Sequence, residues 1–214
     1  MTSSSSAGSA GSSAAPDTPR RRYAPRRPRE LRRTQILDAA ARLIAEHGWR
    51  GMTMERVAAE AGVAKSVSYA IFASQAGLQR AVLLRAQEVT QDRVAKALAA
   101  GREADSVAAG LGAGLTVYLE SVASEPAISK LVLLPIEGAP EAVREAIREG
   151  RERVRRQILA VVEDRLPHVD VELVAHLVRD NAEHLARLLI EQPETFTAER
   201  LATSVTALVR AVAP

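Results

Sequence analysis

Apolar residues along most of this chain recur every three or four positions, the spacing that places them on one face of an α-helix. Between about residues 30 and 47, for example, Ile36, Leu37, Ala40, Leu43 and Ile44 form one such stripe. No run of alternating apolar and polar residues marks a strand, and no turn dipeptide joins two such runs into a hairpin. The pattern therefore predicts an all-α chain of about nine helices.

The predicted helices start after residues that commonly cap or open a helix. The side-chain oxygen of Ser, Thr or Asp can accept a hydrogen bond from a free N–H of the first turn. Proline is also tolerated in that turn, because it has no N–H to leave unpaired. The predicted starting residues are Thr53, Ser74, Asp105 or Ser106, Pro126, Pro140, Asp170 and Thr197.

Residues 53–72 read as two short helices separated by a tight turn. Val57 contributes to the apolar face of the first helix, and Gly62 follows where the helix must stop. Glycine enters the left-handed conformation of such a stop without a Cβ penalty. Val63 would plug the turn before a second helix over residues 64–72. The commonest reason for such a small unit is that its second helix lies in the DNA major groove.

Positive charge is concentrated at the start of the chain. Eight arginines against Asp17 and Glu30 give residues 1–33 a charge of +6, so the rest carries −3 of the net +3. Residues 1–28 are rich in Ser, Gly, Ala and Pro, which predicts a disordered basic arm. Such an arm suits phosphate neutralisation or entry into a minor groove. A solvated leader without a function is the alternative interpretation.

Composition narrows the other possibilities. Without cysteine the chain has neither disulfides nor thiolate metal sites, which suits a reducing cytoplasm. No apolar run approaches the roughly 18–20 residues that span a bilayer, and no signal-peptide core is evident at the N-terminus. We therefore expect a cytoplasmic protein with no membrane partner.

Four motifs, taken in order, resemble the TetR-like transcriptional regulators. They are Ile36-Leu-Asp-Ala-Ala-x-x-Leu-Ile, Gly48-Trp-x-Gly-x-Thr53, Val57-Ala and Ala61-Gly-Val-x-Lys65. The resemblance implies a three-helix DNA-binding domain over residues 29–75, with the helix-turn-helix at 53–72. It further implies a larger helical domain over residues 76–214 for effector binding and dimerisation. Most members of this family are homodimers that repress transcription from a double-stranded DNA operator until a small molecule binds.

Candidate DNA contacts cluster at the start of the second short helix. Lys65, Ser66 and Ser68 can donate to bases or phosphates, and Val67 can touch a thymine methyl group. Tyr69 occupies a position that often meets a backbone phosphate in members of the family. The predicted DNA-contacting residues are Arg33, Thr53, Ala64, Lys65, Ser66, Val67, Ser68, Tyr69, Ser74 and Gln75.

The last two helices carry apolar stripes that could pair with a second copy in a four-helix interface. The alternative is that both stripes pack within their own domain, since each helix has further apolar residues beside its stripe. The predicted interface residues are Val174, Val178, Asn181, Leu185, Leu188, Leu201, Val205 and Leu208.

A ligand pocket is expected in the larger domain. The glycine-rich stretch over residues 110–114 lacks the preceding strand and the lysine of a phosphate loop, so close helix packing or room for a ligand explains it better. Since the chain has only two Phe, three Tyr and one Trp, the pocket should be mainly aliphatic. The predicted pocket residues are Leu111, Gly114, Tyr118, Leu134, His176 and Arg179.

Neither a metal nor a catalytic site is predicted. His176, Asp180 and His184 share a helix face, but the two histidines are about 12 Å apart along the axis. A metal site also needs further ligands, and none is evident. With no catalytic constellation and no cofactor motif, the sequence predicts a ligand-responsive regulator rather than an enzyme. The alternative is a helical interaction or enzyme module in which the helix-turn-helix is only structural.

Overall fold

The computed structural model describes residues 29–134, 137–166 and 168–212, and the regular structure within these ranges is entirely helical. The predicted all-α class and the expected number of helices are confirmed. The predicted basic arm, residues 1–28, lies outside the described residues. The helices are α1 (Arg29–Gly51), α2 (Met54–Glu60), α3 (Lys65–Phe72), α4 (Gln75–Arg102), α5 (Val107–Ser124), α6 (Pro126–Leu133), α7 (Glu141–Arg165), α8 (Val171–Glu191) and α9 (Ala198–Val212).

Most helices begin where their capping residues predict. The side-chain oxygens of Thr53, Ser74 and Asp170 each accept a hydrogen bond from the backbone N–H three residues later. Ser106, rather than Asp105, caps α5 in the same way. These bonds satisfy N–H groups that the first turn of a helix leaves unpaired, which is why the sequence alone locates the helix starts.

The N-terminal helices share one apolar core with the larger domain. Ile36 and Ile44 of α1, Val57 of α2 and Leu78 of α4 are fully buried in it. Residues of α6 and α7 complete the same core, among them Leu131. Packing is therefore continuous across the predicted domain boundary at residue 75, and the helix-turn-helix shares its core with α4 and α6.

A break in α1 at Gly48 connects the N-terminal helices to the loop between α6 and α7. Gly48 has φ 71°, and a Cβ at this position would lie 2.8 Å from the backbone oxygen of Glu137. The same oxygen accepts a hydrogen bond of 3.2 Å from the backbone N–H of Trp49, whose side chain is buried. Only a glycine satisfies both the left-handed conformation and this close approach.

We expect Gly48→Ala to destabilise the fold by roughly 2–3 kcal/mol, because it adds a steric contact to a left-handed penalty. Gly62→Ala is the matched control, since Gly62 also has positive φ but its Cβ would meet nothing within 4 Å. It should cost only about 1 kcal/mol. Urea unfolding of both variants measures the difference, and equal losses would show that the approach to Glu137 has no energetic weight.

Helix α5 corrects the expectation that no segment could span a membrane. Within the described ranges it is the helix that is long and apolar enough to do so by length and composition. It packs against α4, α6, α8 and α9, however. Its apolar composition is explained by this central position and by the cavity that one of its faces lines.

Helices α8 and α9 both pack against α5, and α8 packs against α7 as well. The first half of α8 lies against α7, where Ala175 is buried with Ile158 and Val162. The second half of α8 and helix α9 lie against α5, where Leu189 and Leu201 are buried with Leu119. The prediction of Leu201 as an interface residue is therefore wrong for this structure, because its side chain is only 6% exposed within its own chain.

Candidate DNA-reading helix and ligand cavity

The turn between α2 and α3 exposes the start of α3. Gly62 has φ 62°, and its N–H donates to the backbone oxygen of Ala59 at 3.0 Å. The N–H of Val63 donates to Ala58 at 2.9 Å, and Val63 packs against the N-terminal core. These bonds close α2 and form the tight turn before α3, as in a helix-turn-helix.

One face of α3 is available to a partner and the opposite face is buried. Lys65, Ser66 and Tyr69 are exposed, and Val67 is half-buried. Ser68 is fully buried, and its Oγ has no hydrogen-bond partner. The prediction that Ser68 contacts DNA is therefore corrected: it lies one turn before the buried Phe72, on the face that packs inward.

Lys65 is paired within the protein. Its Nζ lies 2.5 Å from a carboxylate oxygen of Glu55 on α2, and 5.8 Å from the centroid of the Tyr69 ring. The hydrogen bond between Lys65 and Glu55 raises the pKa of the Lys65 ammonium and lowers the pKa of the Glu55 carboxyl. Since both side chains are exposed, the pair adds little to stability, and a phosphate could take the place of Glu55.

The other predicted DNA contacts flank this face. Arg33 lies over the Phe72 ring, 4.9 Å from its centroid, and is half-buried. Thr53 and Ser74 each accept a helix-capping hydrogen bond through the hydroxyl oxygen. Gln75, together with the predicted Ala64, is exposed.

A cavity of about 520 Å³ lies among helices α4 to α9, and its wall is mostly aliphatic. Of the predicted pocket residues, Leu111, Gly114, Tyr118 and Arg179 line it. Leu134 and His176 are not on this wall. Leu134 follows the lining residue Leu133 at the end of α6, and His176 is exposed.

Most predicted interface residues also line this cavity. They are Val174, Val178, Asn181, Leu185, Val205 and Leu208, whereas Leu188 is half-buried elsewhere on α8. The large apolar side chains that remain uncovered on these two helices are Leu173, Leu177 and Leu208, exposed by 55%, 51% and 65%. The apolar stripes of α8 and α9 thus face both the cavity and the surface. The sequence alone does not show which of their residues face which.

Few polar groups face the cavity, and these are held in specific ways. Burial raises the pKa of the Tyr118 phenol to about 12. Nε of Arg151 lies 3.2 Å from a carboxylate oxygen of Glu183. The Nε2 amide of Gln91 is buried without a hydrogen-bond partner. A polar ligand group therefore has a small number of defined positions to occupy.

A buried arginine that the sequence analysis missed joins three helices behind the cavity. Arg93 of α4 is 2% exposed and donates to the hydroxyls of Ser121 on α5 and Ser129 on α6, at 3.2 and 3.0 Å. Burial lowers the pKa of its guanidinium. Arg93 follows Ala86 and Val89 on the buried face of α4. A charged residue within this apolar stripe was the sequence signal for a buried arginine.

The Tyr118 phenol makes stability depend on alkaline pH. Because its pKa is raised above the ordinary 10, its contribution is complete below about pH 10 and is lost as pH rises through about 12. Relative to Tyr118→Phe, the unaltered chain should lose roughly 1 kcal/mol more between about pH 9 and about pH 11. Urea unfolding at both pH values measures this, with the exposed Tyr69→Phe as control. An identical pH dependence in the unaltered chain and Tyr118→Phe would contradict it.

Within the described part of the chain, no group of three or more His, Asp or Glu side chains is arranged to hold a metal ion. His176 and His184 are both exposed, and Asp180 pairs with Arg179. The three residues of the α8 face singled out in the sequence thus behave as a solvated face.

Comparisons with known proteins agree with this arrangement. Residues 36–82 match the family model of bacterial regulatory proteins of the tetR family. The uncharacterized HTH-type transcriptional regulator Rv0472c of Mycobacterium tuberculosis strain H37Rv is 29% identical over 132 residues, which are 61% of this chain and 53% of that protein. The chain thus spans about half the length of this relative.

Solved structures share the fold at low identity. The fatty acid degradation regulator FadR of Bacillus halodurans aligns with TM-score 0.69 and 19% identity, over 85% of this chain and 96% of that one. FadR of Bacillus subtilis, solved in complex with stearoyl-CoA, aligns with TM-score 0.65 and 17% identity, over 82% and 96%. A TetR-like transcriptional regulator from Rhodococcus sp. RHA1 aligns with TM-score 0.68 and 21% identity, over 88% of this chain and 100% of that one. Residues 36–82 thus match the tetR family model, and the chain shares the helical fold of TetR-like transcriptional regulators.

Proposed function

We propose that this chain is a sequence-specific DNA-binding repressor, and that a small apolar ligand releases it from its operator. The observation that carries the DNA-binding part is the exposed face of α3, where Lys65, Ser66 and Tyr69 reach solvent after a tight turn. A helix held in this way can enter a major groove with its first residues toward the bases.

The operator would be bound by a homodimer. A single α3 has eight residues and reads only a few base pairs, so two copies related by a two-fold axis give the usual operator length. The exposed side chains of Leu173, Leu177 and Leu208 supply an apolar surface on α8 and α9 for a second copy. In such a dimer the two α3 helices must lie about one DNA turn apart, roughly 34–36 Å.

The effector would carry a long acyl chain. The aliphatic wall and the volume of about 520 Å³ suit a flexible apolar chain, and the volume lies within the usual range of small-molecule sites. Two structural neighbours are described as regulators of fatty acid degradation or as a complex with stearoyl-CoA. Their fold and the character of the cavity support the same ligand class here.

Two helices would connect ligand and DNA. In α6, Val132 and Leu133 line the cavity, whereas Leu131 packs in the N-terminal core. Helix α4 has the same double role, since Leu83 lines the cavity and Leu78 belongs to that core. A ligand that favours one position of these helices would change the separation of the two α3 helices.

A gel-shift experiment with the DNA upstream of the chain's own gene tests this function. We expect selective binding at low salt and loss of the shifted band when stearoyl-CoA is added. Stearoyl-CoA that leaves the complex intact would contradict the acyl-chain effector and preserve the regulator. Absence of selective binding would instead favour the alternative, a helical interaction or enzyme module with a structural helix-turn-helix.

A further inference from the structure

We propose that the ligand has an anionic head group and that Arg153 and Gln91 bind it at the α4–α7 edge of the cavity. The proposal rests on the proposed function, because it requires the cavity to hold the effector. It adds the charge of that effector, the place where the charge is held and the residues that select it.

The charged side chains on the cavity wall are mostly compensated. They are Arg151, Arg153, Arg165, Arg179 and Glu183. The cavity wall therefore carries more positive than negative charge. Arg151 lies beside Glu183, and Arg179 pairs with Asp180 on the same helix. Arg165 donates to the backbone oxygen of Ala104 at 3.0 Å, beyond the end of α4.

Arg153 is the exception. Among the described residues it forms no hydrogen bond and no ion pair, although it lies on the cavity wall and reaches solvent. Its neighbours on α7 are paired: Arg148 with Glu145, and Arg155 with Glu152. A cation left uncompensated at the rim of an apolar cavity favours an anionic partner.

The packing of α4 against α7 places Gln91 of α4 near Arg153 of α7 along the helix axes. Nε2 of Gln87 donates to the backbone oxygen of Ala146 at 3.5 Å, and these residues are 59 apart in sequence. The bond from Arg165 to Ala104 has a separation of 61, so the two helices run in the same direction at a nearly constant offset. Gln91 therefore lies beside residue 150 of α7, and Arg153 lies one turn beyond.

This edge has both an unused donor and open space. Gln91 lines the cavity, and its Nε2 is buried with no hydrogen-bond partner. Rotation of this side chain toward the cavity would break no hydrogen bond of Nε2 and would present the donor to an acceptor on a ligand. At Gly150, which lines the cavity, an added Cβ would meet no atom within 4 Å. The space above Gly150 can thus hold an acceptor group between the amide of Gln91 and the guanidinium of Arg153.

The chemistry required is an anionic oxygen attached to an acyl chain. The oxygen would accept from Gln91 and pair with Arg153, while the chain would extend along aliphatic residues such as Leu111 and Val178. Two sources supply this chemistry: the carboxylate of a free fatty acid, and the phosphates of an acyl-CoA. An uncharged alcohol of the same chain length has the same apolar chain without the anionic oxygen, and it therefore serves as the comparison.

Calorimetric titration of the full chain with stearate, stearoyl-CoA and stearyl alcohol, each at submicellar concentration, tests the proposal. We expect Arg153→Gln to weaken binding of an anionic probe about tenfold or more, the usual effect of losing a charged hydrogen bond. Binding of stearyl alcohol should change less than about twofold. Arg156→Gln, an exposed arginine of α7 away from the cavity wall, should change neither.

The results also identify the source of the anion. A loss confined to stearate assigns the carboxylate, a loss confined to stearoyl-CoA assigns the phosphates, and a loss for both assigns the shared charge. Gln91→Leu should weaken binding of the same probe without lowering thermal stability, since Nε2 of Gln91 has no hydrogen-bond partner to lose. Equal losses for stearyl alcohol, or no loss for either anion, would overturn the head-group site. If no probe binds the unaltered chain, the acyl-chain effector fails, and this site with it, whereas DNA binding is judged separately by gel shift.

Discussion

Replacing Lys65, Ser66 and Tyr69 together with alanine should abolish selective DNA binding and leave the fold intact. These are the polar side chains that α3 exposes at its start, and each can donate to a phosphate or a base edge. At about 1–3 kcal/mol for each of the three side chains, the combined effect should exceed roughly 100-fold in affinity. Fluorescence anisotropy with upstream DNA measures the affinity, and circular dichroism verifies the helical content.

Ser68→Ala is the matched control from the same helix. The Ser68 side chain is fully buried and its Oγ has no partner, so removal of the hydroxyl should leave DNA affinity unchanged. Stability should be unchanged or slightly raised, because a buried unsatisfied hydroxyl is removed. A loss of DNA binding in Ser68→Ala as large as in the triple variant would place the reading face on the wrong side of α3.

Deletion of residues 1–28 should strongly reduce the dependence of DNA affinity on salt. This segment has five arginines against Asp17, whereas residues 34–75 are neutral overall. The slope of log K against log salt should therefore fall by about 0.9 for each phosphate that the arm no longer neutralises.

A shorter deletion separates charge from length in the arm. Residues 1–15 contain no charged side chain, so their removal should leave the slope as in the full chain. Binding titrations between about 50 and 200 mM salt measure all three slopes. If deletion of residues 1–28 left the slope unchanged, the electrostatic affinity would have to come from α3 and its neighbours.

The sequence predicted helix starts and the helix-turn-helix well because these depend on local chemistry. Thr53 and Ser74 cap helices through bonds to N–H groups three residues away, and Gly62 ends α2 through its own backbone conformation. Such interactions span one turn of chain, so they are legible without tertiary structure. The four family motifs added the fold of the whole chain.

Burial of individual side chains was less predictable, since it depends on which helices meet. Ser68 is polar yet turns inward with Phe72, and Arg93 is charged yet lies between three helices. The stripe of α8 faces the cavity at Val174, whereas Leu173 beside it is exposed by 55%. Periodicity identifies an apolar face but does not state what covers it.

The glycines of α5 illustrate the same limit. Their spacing was compatible with close packing or with room for a ligand, and the structure has both. A Cβ at Gly110 would lie 2.6 Å from the backbone oxygen of Gly101, and one at Gly114 would lie 2.9 Å from that of Ala97. These approaches hold α5 close to α4, while Gly114 also lines the cavity.

Selection of binding sites from random duplex DNA by the full chain tests the central claim most directly. If two α3 helices are presented together, the enriched sequences should form a two-fold symmetric site with half-sites about one helical turn, or a multiple of it, apart. The variant lacking the Lys65, Ser66 and Tyr69 side chains should enrich nothing. Random sequences after selection by the unaltered chain, or a symmetric site that the triple variant selects equally well, would contradict the assignment of α3 as the DNA-reading helix.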